Sequence, residues 1–269
     1  MSLGKRIRLN RIFSHSTGRL CSVAVDHYVG YGMGLPDGLK DMGALFRQLI
    51  PAGPGAVTMN KGVAQHCWEP FAGKVPLIIQ AGWFTADDGV METVAHPEEV
   101  LRLGADAIAY SIGVRGPNEG KYMKALAHMA DQASRFDLPV IAHIYPRDFK
   151  STPVRVLHDP ENIAWAARAG VECGADIIKV AYTGDEASFA QMVAQTPVPV
   201  VAAGGPKSDS LVDALKLMQA SCRAGGRGAT IGRNIWGNPE PGRALEAFKR
   251  VILDNQEPEL VVAKLFPSR

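Results

Sequence analysis

Short β-rich apolar runs alternate with longer amphipathic stretches from Leu20 to the C-terminus of this chain. The apolar runs are Leu20–Val25, Ala56–Met59, Pro76–Gln80, Ala105–Ser111, Pro139–Ile144, Ile177–Ala181, Val198–Ala202 and Ala229–Ile231. Their length and flanking turn residues predict buried strands. Between most of them apolar positions recur at helical spacing, over Leu39–Ile50, Glu119–Phe136, Pro160–Cys173, Glu186–Ala194, Ser208–Arg223 and Pro241–Asp254. Two helix-to-strand junctions share one local form, Arg102-Leu-Gly-Ala-Asp106 and Val171-Glu-Cys-Gly-Ala-Asp176. Glycine there suits a helix C-cap, and Ala-Asp opens the next strand. Eight such units predict a single-domain (β/α)8 barrel over 1–269 that includes a short N-terminal extension, about residues 1–18. An open doubly wound sheet fits less well, because no Gly-x-Gly-x-x-Gly follows the first strand.

Composition narrows the class. A net charge of +2 on 269 residues, with no Lys/Arg block interleaved with aromatics, argues against a nucleic-acid partner. No apolar stretch approaches the roughly 20 residues needed to span a bilayer. The basic segment Met1–Asn10 has no apolar h-region after it. Cys21, Cys67, Cys173 and Cys222 are widely spaced, with no Cys-x-x-Cys pair. They read as buried thiols of a reducing, cytoplasmic compartment.

One position breaks the pattern. Lys179 stands inside the apolar run Asp176-Ile-Ile-Lys-Val-Ala-Tyr182. A buried, unpaired ammonium costs several kcal/mol, a cost avoided by losing the proton, which makes the amine a nucleophile. The alternative is a strand end whose lysine snorkels into water. In a barrel the chemistry gathers at the C-terminal strand ends, and those positions are the ones to read. The first strand ends in Asp26-His27, where a carboxylate can accept a proton or hold a hydroxyl, or simply form a turn. The loop Gly30-Tyr-Gly-Met-Gly34 is then expected over the mouth, and it lacks the Lys-Ser/Thr of a phosphate loop. The fifth strand places His143 and Tyr145 on one face, with Tyr145 nearer the rim as a proton carrier or a packing tyrosine. The seventh runs into Ala203-Gly204-Gly205-Pro206-Lys207, and the eighth into Gly232-Arg233-Asn234-Ile235-Trp236. Glycine amides, a helix N-terminus and a guanidinium after these two strands suit a phosphate. His-x-His and His-Glu-x-x-His are absent, which argues against a zinc enzyme. His27, His66 and His143 are scattered in sequence, and Arg115, Lys121 and Lys150 read as solvated charge rather than a second phosphate site.

The pieces Val25-Asp26-His27, Tyr145-Pro146-Arg147, Ile178-Lys179-Val180, Ala203-Gly204-Gly205-Pro206-Lys207 and Gly232-Arg233-Asn234-Ile235-Trp236 follow a familiar order. The chain resembles the archaeal-type class I fructose-bisphosphate aldolases of the DeoC/LacD superfamily, a group that also holds aminodideoxyheptulosonate synthase and the autoinducer-2 phosphate thiolase. The resemblance spans nearly the whole chain. It implies a barrel, a lysine imine without metal or organic cofactor, and homo-oligomers, often decamers. By motif, Lys179 is the Schiff-base nucleophile, Tyr145 a proton carrier and Asp26 the acid near the imine. Gly204, Gly205, Gly232 and Arg233 form the phosphate cradle, and His27 and His143 are further substrate-binding candidates. Asp148 departs from the glycine common after Tyr-Pro-Arg, and Tyr28 from the glycine frequent after Asp-His. The implied activity is carbon–carbon cleavage or formation on a phosphorylated ketose. Thiolase-type or transaldolase-type transfer, or non-catalytic sugar-phosphate binding, are the alternatives on the same scaffold.

Overall fold

The computed structural model describes residues 1–27 and 34–267. Tyr28 and all but Gly34 of the loop expected over the mouth therefore lie outside the described residues. Eight parallel strands close into a barrel: β1 Leu20–Ala24, β2 Val57–Asn60, β3 Leu77–Phe84, β4 Ala107–Val114, β5 Val140–Asp148, β6 Ile177–Val180, β7 Val200–Ala203 and β8 Gly228–Ile231. Closure is made by β8 on β1, with Leu20 opposite Gly228 and Val23 opposite Ile231. The predicted (β/α)8 fold is thus present, each apolar run seeding one strand. Two short antiparallel strands, Met91–Thr93 on β3 and Arg155–Val156 on β5, add to the rim and were not signalled by the sequence.

The helices are α1 Leu3–Ile12, α2 Met42–Leu49, α3 Lys61–Cys67, α4 Pro97–Arg102, α5 Glu119–Ser134, α6 Pro160–Glu172, α7 Glu186–Ala194, α8 Leu211–Arg223, α9 Arg233–Trp236, α10 Pro241–Ile252 and α11 Pro258–Leu265. Local chemistry sets their starts. Asp41, Asp159 and Asp185 each accept a hydrogen bond from the amide three residues on, at 2.8, 3.1 and 2.8 Å. Gly104 and Gly174, at φ of +73° and +85°, turn the chain after α4 and α6. None of the described helices is long and apolar enough to cross a membrane.

Alternation along each strand divides the residues between two cores. Outward side chains such as Val140, Ile178 and Ile231 pack beneath the helices. Inward ones form a separate apolar floor, made by Leu20, Ala56, Ile78, Ile141, Ile177 and Val201. Ile12 of α1 completes that floor from outside the barrel. The repeated Gly-Ala-Asp junctions explain how α1 is held there. Asp176 accepts from Lys5 Nζ at 3.0 Å and from the Val140 amide at 2.9 Å, while Asp106 accepts from Arg11 at 3.1 Å. The basic N-terminal segment is therefore a lid over the barrel's lower end.

Truncating that lid inside and outside separates packing from surface effects. Ile12→Ala, at a side chain 1% exposed, is expected to cost about 2–5 kcal/mol in urea unfolding. Leu3→Ala, at a residue 74% exposed, should change stability by no more than about 0.5 kcal/mol.

Candidate active site

Above the apolar floor the barrel interior turns polar. Ser22, Thr58, Gln80, His143, Lys179 and Thr230 are all buried there. Ser22 Oγ donates to Thr230 Oγ1 at 2.8 Å, so neighbouring strands satisfy part of this layer themselves. Ser111, His143 and Lys179 are register partners across β4, β5 and β6. Lys179 sits one inward position above floor residue Ile177, and Tyr145 one above His143.

A cavity of about 360 Å³ opens from this layer to the C-terminal mouth. Asp26, His27, Tyr145, Lys179, Gly204, Gly205, Gly232 and Arg233 all line it. Residues 150 or more positions apart in sequence thus share one wall. His143 is the exception: it is 2% exposed, adjoins Lys179 in the register and does not reach the cavity wall. Arg115 is directed elsewhere, stacked 4.4 Å over the Trp165 ring and 3.7 Å from Glu161. Lys121 and Lys150 are exposed away from the cavity.

The electrostatics favour a neutral amine. Lys179 is 5% exposed and forms no ion pair among the described residues. Burial holds its pKa below the ordinary 10.5, opposed by the Asp26 carboxylate and assisted by the Arg233 guanidinium. Asp26 lies closer to His27, with Oδ1 3.5 Å from Nδ1. Burial pushes His27 down to about 4, against the pull of Asp26 and with further repulsion from Lys179 and Arg233. His143 is likewise held well below its usual value, by burial first and then by Lys179 and His27. Both imidazoles are neutral near pH 7, so neither adds a cation beside the amine.

The glycine-rich rim is fastened from β8. Asn234 Nδ2 donates to the carbonyls of Gly204 at 3.0 Å and Pro206 at 2.9 Å, while its Oδ1 accepts from the Ser208 amide at 2.9 Å. One buried side chain thereby ties the β7 loop to the start of α9. The Gly204 amide is itself committed to the Thr230 carbonyl at 3.0 Å. Gly204 consequently contributes close approach, since a Cβ there would lie 2.8 Å from Ile231 Cα, and Gly205, at φ +69°, supplies the turn. A Cβ at Gly232 would collide with the His27 ring. That ring packs edge-on against Trp236 at 5.4 Å, and Trp236 Nε1 donates to the Ala24 carbonyl at 3.0 Å.

On the opposite side Arg147 is 2% exposed among Phe84, Tyr122 and Phe149, 4.8, 5.2 and 5.0 Å from their ring centres. Its Nη1 lies 2.5 Å from Asp88 and also donates to the carbonyls of Thr85 and Ala86 at 3.2 Å. A Cβ at Gly113 would occupy the guanidinium's place. Arg147 thus secures the extended turn between β3 and its short antiparallel partner. Gln80, Ser111, Trp83, Arg155 and His158 also line the cavity and were not singled out by sequence. The signal for Gln80 and Ser111 was available, since each is a polar residue in an apolar run, as Lys179 is. Among the described residues no three His, Cys, Asp or Glu side chains gather into a metal site.

Comparison with known proteins gives a consistent picture. The family model described as DeoC/LacD family aldolase matches residues 20–238. The 2-amino-3,7-dideoxy-D-threo-hept-6-ulosonate synthase of Halobacterium salinarum is 34% identical, over 97% of this chain and 96% of the relative. Fructose-bisphosphate aldolase class 1 of Thermoproteus tenax is 36% identical, over 84% of this chain and 86% of the relative. An archaeal fructose-1,6-bisphosphate aldolase, solved with its catalytic lysine bound to the substrate's carbinolamine intermediate, superposes with a TM-score of 0.81 at 30% identity, covering 93% of this chain and 99% of that one.

The buried imidazole makes an acid-stability prediction. Below pH 6.5 the unfolded chain takes up a proton on His27 that the folded site refuses until about pH 4. Stability therefore falls across that window, by about 3 kcal/mol for this group, and levels off below it. Urea unfolding at stepped pH should show His27→Gln losing about that much less than the wild type between pH 6.5 and pH 4.

Proposed function

The chain belongs to the DeoC/LacD family of aldolases, and from that premise we propose that Lys179 is the amine that forms an imine with a phosphorylated ketose. It is an enzyme of the Schiff-base-forming, class I kind. The observation that carries the assignment is the placement of Lys179: buried, without a salt bridge, in the one wall that also holds the Gly205, Gly232 and Arg233 rim.

The sequence of events follows from those positions. Gly205, Gly232 and Arg233 hold the phosphate, and Asn234 keeps their two loops together. Anchoring the phosphate brings the ketone carbon to the Lys179 amine and converts an encounter into a fixed approach. The neutral amine adds to the carbonyl, a proton moves from nitrogen to oxygen, and loss of water gives the iminium. Its positive nitrogen draws the electron pair of the bond between the next two carbons while a base takes the hydroxyl proton of the departing carbon, so that an aldehyde leaves and an enamine remains. Tyr145 and Asp26 line the cavity with the amine and, directly or through a water, carry the protons of carbinolamine dehydration, carbon–carbon cleavage and enamine protonation. Hydrolysis then frees the amine. Run in reverse, the same steps form the bond.

Borohydride reduction with fructose 1,6-bisphosphate or dihydroxyacetone phosphate, followed by peptide mass analysis, is the direct test. A reduced adduct is expected on the peptide carrying Lys179 and is expected to vanish in Lys179→Met. An adduct on another lysine, or none in folded protein, would overturn the assignment. Arg233→Ala should raise the half-saturating ketose phosphate about tenfold or more, through loss of a charge-assisted contact. Asp26 raises the Lys179 pKa, so Asp26→Asn should move the acid limb of the trapping rate to lower pH. A shift to higher pH would contradict the electrostatic account.

A further inference from the structure

A buried assembly stands behind the cavity wall that carries Tyr145, and none of its members has a step in the reaction. Asp88 is its hub. The Asp88 carboxylate accepts from Tyr122 Oη at 2.7 Å and from Asn118 Nδ2 at 3.2 Å, and it lies 2.5 Å from Arg147 Nη1. Asp88 does so from φ +60°, a left-handed backbone that persists in residues other than glycine where the surroundings impose it. The Arg147 charge is thereby neutralised inside the protein, and Nη1 is further committed to the Thr85 and Ala86 carbonyls. A guanidinium engaged in this way is not held ready for an anionic ligand. What it offers is its flat face.

That face meets Phe84, 4.8 Å from the ring centre. Phe84 is the last residue of β3 and lies opposite Met91 of the short rim strand. Its ring stands at 75° to Tyr122, 5.5 Å away, and at 54° to Tyr145, 5.8 Å away. Phe84 and Tyr145 both line the cavity. Contacts therefore run unbroken from the Asp88 carboxylate through Arg147 and Phe84 to the Tyr145 ring. Tyr145 is half-buried, and a side chain at a cavity edge keeps its pose only if packing holds its χ angles. We propose that Phe84, clamped by Arg147, is a positioning residue that fixes the Tyr145 ring where its phenol can exchange a proton with the carbon beside the imine. This rests on the roles given to Lys179 and Tyr145 in the imine mechanism. The effect belongs to proton transfer, because β3 stands across the barrel from the β7 end of the phosphate cradle. A misplacement of about 1 Å in a reacting group can cost about a hundredfold in rate.

Dihydroxyacetone phosphate in deuterium oxide, with the full chain, reads two steps separately. Borohydride trapping reports the imine at Lys179, and proton NMR reports exchange at the hydroxylated carbon beside it. There the C–H electron pair moves toward the iminium nitrogen as the proton leaves, and a deuteron returns to the same carbon. Phe84→Leu should slow exchange at saturation about tenfold or more, with half-saturation in trapping unchanged within about twofold. In a Tyr145→Phe background, Phe84→Leu should change the already slow exchange by less than about twofold, because a residue acting through Tyr145 has nothing left to place. Phe84→Tyr keeps the ring and should hold exchange within about threefold of the wild type. An equal fall in both backgrounds, an unchanged rate in Phe84→Leu, a fall as large in Phe84→Tyr, or a change in half-saturation in place of rate would each overturn the proposal. Should circular dichroism show Phe84→Leu unfolded, Arg147→Lys is read in the same two backgrounds with the same expectations, since it keeps a cation for Asp88 and loses the flat face. Failure of the underlying reading looks different: no label reaches Lys179 in folded wild-type protein, or Tyr145→Phe alone exchanges at the wild-type rate.

Discussion

An amine buried without a counter-ion is the constraint around which this barrel is arranged. A charged ammonium at Lys179 would cost several kcal/mol of desolvation, opposed by the Asp26 carboxylate but by no direct ion pair among the described residues. Ile177 and the rest of the apolar floor lie below, Arg233 repels from the rim, and the nearest imidazoles are themselves held neutral. The carboxylate in range, Asp26, is turned to His27. Burial and Arg233 push toward the neutral amine, and Asp26 opposes them. The floor matters too: α1 closes the lower end with Ile12, so the polar layer above it opens only toward the mouth.

Two fasteners then set where a ligand can lie relative to that amine. Asn234 binds the β7 loop to the start of α9, and Arg147 binds the β3 turn to β5 through Asp88. Both are buried, and both spend several hydrogen bonds on backbone carbonyls or a partner carboxylate. The loops at a barrel mouth are the variable part of such a fold, whereas side chains like these fix the loop geometry. Across the cavity the glycine-rich ends of β7 and β8 face Gln80 of β3.

Much of this was legible in sequence. Every barrel strand was seeded by an apolar run, and α7 has the bounds its periodicity predicts, Glu186–Ala194. Lys179 was visible because a charge inside such a run has no cheap alternative. The glycine pairs and Arg233 were singled out because barrels commonly bind phosphate after their last two strands, and the structure brings them to the cavity. What escaped was set by tertiary contact. The two rim strands are short and exposed, so neither has an alternation to read. The Asp106 and Asp176 carboxylates looked like strand openers, and their partners lie 95 and 171 residues away. Arg147 carried a motif but no role, because the aromatic box and Asp88 come from other segments. His143 had the right parity for the cavity, yet it stays behind the wall although its register partners Ser111 and Lys179 both line it.

The protonation state of Lys179 can be measured on the free enzyme. Lysine side-chain NMR with labelled Cε and Nζ, assigned by the resonance lost in Lys179→Met, follows the Lys179 amine directly as pH is varied. A midpoint clearly below the ordinary 10.5 is expected. A midpoint at or above that value would mean the amine is stabilised as a cation, and the arrangement described here would not produce the nucleophile assigned to it.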